Sequence, residues 1–156
     1  RPHFLKNCLP YVKRQIHGLV PDGQTSAVID RNFSKRLGIV CHYYADFFCH
    51  AHSRTFKGLV SHMEYEDGLY QYFLDHFFTI NNMDFLPSAE RRIDADVVCR
   101  EFSKLHKTYR TGAASYYKDL LYCVLACVQM IVLITSASCA GMADDFRLGC
   151  AALRAV

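Results

Sequence analysis

Proline and glycine are scarce, with 4 and 8 among 156 residues. That excludes collagen-like and low-complexity classes. A strong charge of one sign is also missing: 18 Lys and Arg face 15 Asp and Glu, a formal +3. Such a balance leaves no electrostatic footprint for nucleic acid. No G-x-S-x-G, P-loop or G-x-G-x-x-G occurs, which removes the usual nucleophile elbow and phosphate-cradling loops. C-x-x-C and C-x-x-C-H are absent too, so a thioredoxin-type pair and covalent haem attachment lose support. Period-two alternation of useful length is missing, and with it the signal for strands.

Hydrophobic residues make up 51% of the chain against 21% charged, so a packed core is expected. The greatest concentration runs from Leu120 to Met142, which contains no Asp, Glu, Lys, Arg or His. At about 1.5 Å per residue, a helix of that length exceeds the ~30 Å hydrocarbon thickness. Tyr116, Tyr117 and Lys118 precede it like headgroup-level anchors, and Asp144 and Asp145 follow it. Gln129 is the mid-span polar group, suited to bond a neighbouring helix. Ser136, Ala137, Ala140 and Gly141 form two small-x-x-x-small pairs that let another backbone approach.

The remaining segments carry helical spacing. Ile29, Phe33, Leu37, Val40, Tyr44 and Phe47 mark an amphipathic helix from Ala27 to about His52, with Thr25 or Ser26 as cap. Phe56, Leu59, Val60, Met63, Tyr70, Leu74, Phe77 and Phe78 form a second stripe, which Asp67-Gly68 threatens to break. Ala95, Val98, Phe102, Leu105 and Tyr109 form a third, entered at Ser88 and closed near Gly112. A short helix near Tyr11–Val20 lies between Pro10 and Pro21. The predicted fold is all-α: a small helical domain on one side of a membrane plus one C-terminal transmembrane helix. Its units are 1–24 (extension with the short helix), 25–114 (amphipathic domain), 115–143 (span) and 144–156 (tail).

Residues 100–118 hold Arg100, Lys104, Lys107, Arg110 and Lys118 against Glu101 alone. The positive-inside rule then keeps the N-terminal part on the cytoplasmic or matrix side, with these cations at anionic lipid headgroups. The eight cysteines read as reduced, buried thiols, because at least five fall inside apolar helical patterns. The chain begins with Arg1, which fits a processed import product. Together with 11 Phe and 10 Tyr, more aromatic surface than one small core buries, these features predict a non-catalytic accessory subunit. The expected partners are other subunits of a mitochondrial inner-membrane complex, a respiratory-chain complex or the ATP synthase, with no nucleic acid and no cofactor.

The rival reading is a helical metal-binding protein or metalloenzyme. His42, Asp46 and Cys49 recur at steps of four and three opposite the apolar stripe, with His52 nearby, and zinc accepts those ligand types. Paired C-x₂-C or H-x₃-H spacing is lacking, so a solvated polar face is expected instead. His62, Glu64, Glu66 and Asp67 lack the Glu-x-x-His of di-iron bundles and read as a solvated acidic turn. A third option is a receptor or tether with an independent binding domain.

Overall fold

The computed structural model describes residues 4–20, 28–81 and 93–138, and every regular element among them is helical. Helix α1 spans Leu5–His17, α2 Arg31–Phe47, α3 Leu59–Asn81, α4 Ala95–Tyr109 and α5 Tyr116–Ser138. A single 3₁₀ turn, His50–His52, joins α2 to the segment that leads into α3.

Side-chain caps decide where three of these helices begin. Asp30 accepts from the Phe33 N–H at 2.8 Å, so α2 starts later than the spacing from Ala27 predicts. Asp94 accepts from the Val97 N–H at 2.7 Å and starts α4. Ser88, the expected cap, lies outside the described residues, as do Thr25 and Ser26. Ser115 caps α5 as its position suggests, its Oγ accepting from the Lys118 N–H at 3.2 Å. Each cap satisfies a backbone donor that the helix itself leaves open. Helix α1 runs through Pro10, which the sequence placed at its edge.

The core forms between α1, α2, α4 and α5. Phe33, Val40, Tyr44 and Phe47 of α2 are buried, as their spacing requires. They meet Val12 and Ile16 of α1 and Val98 and Phe102 of α4. Phe102 is the hub: its ring centroid lies 4.4 Å from Tyr44, 5.8 Å from Phe47 and 5.7 Å from Phe48. Each such aromatic pair adds about 1 kcal/mol beyond the burial of its area. Helix α5 contributes Leu120, Ala126, Met130, Leu133 and Ile134 to this core. Its outward side stays apolar, with Leu121, Val124, Val128 and Val132 half-buried and Ile131 exposed. Helix α5 is therefore long and apolar enough to span a membrane while packing along α2 and α4.

Helix α3 departs from the expected pattern twice. Gly58 has φ +96°, so the helix starts at Leu59 and leaves Phe56 outside. It then passes Gly68 without a break, and the Tyr116 hydroxyl packs where a Cβ would stand. Its apolar stripe also faces outward: Leu59, Val60, Met63, Tyr70, Leu74, Phe77 and Phe78 are all exposed. The side turned to the bundle carries His62, Tyr65, Gly68 and Tyr72.

Candidate metal centre

Two helices and the turn between them converge on one cluster of donors. Asp46, in the last turn of α2, lies four residues after His42, so both share a face. Asp46 Oδ2 is 3.6 Å from His42 Nε2, and Asp46 Oδ1 is 3.5 Å from His52 Nε2. His52 occupies the end of the 3₁₀ turn, where its backbone N–H donates to the Cys49 carbonyl at 3.1 Å. The first turns of α3 bring His62 and Glu66, again four apart. Glu66 Oε1 lies 3.1 Å from both His52 Nε2 and His62 Nε2.

The ligand atoms of His52, His62 and Glu66 all fall within 4.8 Å of one another. His62 Nδ1 sits 3.0 Å from the Ala51 carbonyl oxygen. A carbonyl accepts and never donates, so Nδ1 carries the proton and Nε2 presents its lone pair to the cluster. That is the tautomer a metal-ligating imidazole requires, held by a carbonyl on its far nitrogen. Asp46 and His52 are largely shielded, with side chains 14% and 13% exposed, whereas Glu66 is 45% exposed. The cluster thus has an anchored inner side and an open outer side.

A buried carboxylate holds the parts in place. Asp119, in the first turn of α5, is 0% exposed. Its Oδ2 accepts from the His50 N–H at 2.6 Å and the Tyr65 hydroxyl at 2.9 Å, and its Oδ1 accepts from the Tyr109 hydroxyl at 2.8 Å. One carboxylate therefore ties the 3₁₀ turn, α3 and α4 to α5. Burial first, and then the Asp119 charge, push the Tyr65 and Tyr109 phenols well above their usual range. Both remain protonated donors at neutral pH.

The structure sorts the residues singled out from the sequence. His42, Asp46 and His52 come together. Cys49 is not among the donors that meet, and burial pushes its thiol up to about 12. His62 and Glu66, read as part of a solvated acidic turn, complete the cluster, while Glu64 and Asp67 stay exposed. The missed signal was the second i,i+4 spacing, the H-x₃-E of His62 and Glu66, which mirrors the H-x₃-D of His42 and Asp46 on the other side of His52. Gln129 lines a small gap beside Glu101 and Phe102 of α4, within its own bundle. Ala137 packs against the core, Ser136 is half-buried, and Ala140 and Gly141 lie outside the described residues. Of the basic run, Lys104 pairs with Glu101 at 2.7 Å. Arg110 and Lys118 line a cavity that His52 also borders.

The family model of zinc dependent phospholipase C matches residues 2–122, which include every donor of the cluster. No curated protein and no solved structure matches the chain. The donor set fits the metal that the family requires: imidazole nitrogens, with the tautomer of His62 set by the Ala51 carbonyl, joined by carboxylate oxygens, suit zinc. The match overturns the expectation of a non-catalytic accessory subunit of a respiratory-chain complex or the ATP synthase. The aromatic surplus and apolar α5 that suggested such a subunit are equally compatible with an enzyme, and composition does not report catalysis. The match spans well over half of the sequence, and the chain belongs to the zinc dependent phospholipase C family.

Proposed function

We propose that the chain hydrolyses the phosphodiester bond of phospholipids, releasing diacylglycerol and a phosphorylated headgroup. The observation that carries this reading is the convergence of His52, His62 and Glu66 within 4.8 Å. Three protein donors with an open side are the pattern of catalytic rather than structural zinc. His52, His62 and Glu66 would hold the ion, and Asp46 turns one oxygen toward this set and the other toward His42. Zinc, when bound, supplies Lewis acidity toward a phosphoryl oxygen and a nucleophile available at neutral pH.

The chain's own residues do the rest. The Ala51 carbonyl fixes the His62 ring and its proton. Asp119 holds the backbone of the 3₁₀ turn and, through Tyr65, the first turns of α3, so the donors keep their spacing. The exposed Glu66 side leaves room for a substrate phosphate. Leu59, Val60 and Met63 flank His62 at 77%, 69% and 58% exposure, an apolar collar that supports contact with a lipid surface.

The test is zinc content and headgroup release from mixed micelles. Stoichiometric zinc, activity lost on chelation and regained with zinc, and failure of both His62→Ala and Glu66→Gln to recover it are expected. Purified, folded chain that takes up no zinc would overturn the reading.

A further inference from the structure

A cavity of about 470 Å³ opens beside the metal cluster, and His52 forms part of its wall. That volume lies within the usual range for small-ligand sites. Four cationic side chains from four parts of the fold reach it: Lys6 of α1, Arg54 after the 3₁₀ turn, Arg110 at the end of α4 and Lys118 of α5. No Asp or Glu is among the described residues that line it. Lys118 is held in place, its Nζ donating to the Thr111 carbonyl at 2.5 Å and the Ala113 carbonyl at 3.3 Å, above the Tyr109 ring.

We infer that this cavity receives the headgroup of phospholipids whose headgroup carries no cation, such as glycerol or inositol, and disfavours choline and ethanolamine. The inference deepens the proposed activity and rests on it for the direction in which the substrate lies. The chemistry follows from the lining. Phe47 and Tyr109 also border the cavity, but a quaternary ammonium there would find no carboxylate and would meet four positive charges that repel it. Guanidinium and ammonium groups instead donate to phosphate oxygens and hydroxyls. The product of cleavage is a phosphomonoester, which gains negative charge relative to the diester. The same cations therefore hold a glycerol phosphate more firmly than a phosphocholine, whose ammonium offsets part of that charge.

The experiment has a binding arm and a turnover arm, both on the full chain. In the first, calorimetry compares glycerol phosphate, phosphocholine and inorganic phosphate. Glycerol phosphate should bind about tenfold or more tighter than phosphocholine, since like-charge contacts are strongly disfavoured. Arg54→Gln with Arg110→Gln should erase most of that difference, and Arg→Lys at both positions should restore much of it. Equal binding of phosphocholine, or a preference untouched by the double variant, overturns the inference. Inorganic phosphate binding as tightly as glycerol phosphate also overturns it, because the cavity would then read phosphate and no headgroup. In the second arm, vesicles of phosphatidylglycerol or phosphatidylinositol are compared with vesicles of phosphatidylcholine. Faster hydrolysis of phosphatidylcholine refutes the headgroup preference while leaving the activity standing. Absence of hydrolysis with the binding preference intact refutes the activity and leaves the anion-selective cavity.

Discussion

Helices α2 and α3 look alike in sequence, and the structure treats them oppositely. Both carry an apolar stripe at helical spacing. In α2 the stripe is buried, with Val40 at 0% and Tyr44 at 2% exposure. In α3 it faces out, with Leu59 at 77% and Phe78 at 79%. The difference lies in what each opposite face must do. The far face of α2 offers His42 and Asp46 near its end, which sit at the bundle's edge without displacing its core. The polar face of α3 must turn inward, because His62 bonds the Ala51 carbonyl and Tyr65 bonds the buried Asp119. Hydrogen bonds to a buried charge are worth about 2 kcal/mol each, and leaving that charge unpaired costs more. A stripe that can rest against another apolar surface outside the chain yields to that demand.

The contrast can be broken by substitution. The largest effect is expected at Phe48, which follows α2 and is 0% exposed against Phe102, Tyr109 and Tyr122. Phe48→Ala should cost about 4 kcal/mol in urea unfolding, by lost burial plus a cavity. Asp119→Asn comes next. It removes the charge and sets an amide N–H₂ among three donors, so a loss of about 3 kcal/mol is expected. If α3 is held inward by this carboxylate, amide exchange in α3 should accelerate with it. Unchanged exchange in α3 would show that packing of Tyr116 on Gly68 suffices.

A smaller effect sharpens the comparison through pH. Burial first, and then the neighbouring Arg110, lowers the His106 pKa below 6.5. The folded chain therefore binds the proton less readily than the unfolded chain. Above the unfolded value the ring is neutral in both states and contributes no pH dependence. As pH falls through 6.5, the unfolded state takes up the proton first and stability declines. His106→Phe should flatten the part of the stability–pH curve due to this ring. The smallest effect belongs to the outer stripe: Phe78→Ser should change stability within about 0.5 kcal/mol. The same substitution should weaken association with phospholipid vesicles, and an unchanged vesicle affinity would remove that part of α3 from the lipid contact.

How much of the site was legible follows from distance along the chain. His42 and Asp46 share a helical face by spacing alone, and His52 follows within the next turns. His62 and Glu66 share a face in the same way, but nothing local says that the face turns inward. Asp119 was the least legible of all. It stands at the threshold of the apolar run and looks like part of a polar flank, yet it is buried by partners at His50, Tyr65 and Tyr109, ten to 69 residues away. The basic residues Arg110 and Lys118 read as a headgroup-facing run, and their placement beside Lys6 and Arg54 depends on how α1, α4 and α5 meet.

By itself the sequence determined the helical class and the apolar length of α5, because period and hydropathy act within a few residues. The tertiary structure alone decided which face of α3 turns inward and so which donors meet. That choice depends on hydrogen bonds to a carboxylate far along the chain, whose burial raises the cost of leaving any of its partners unpaired.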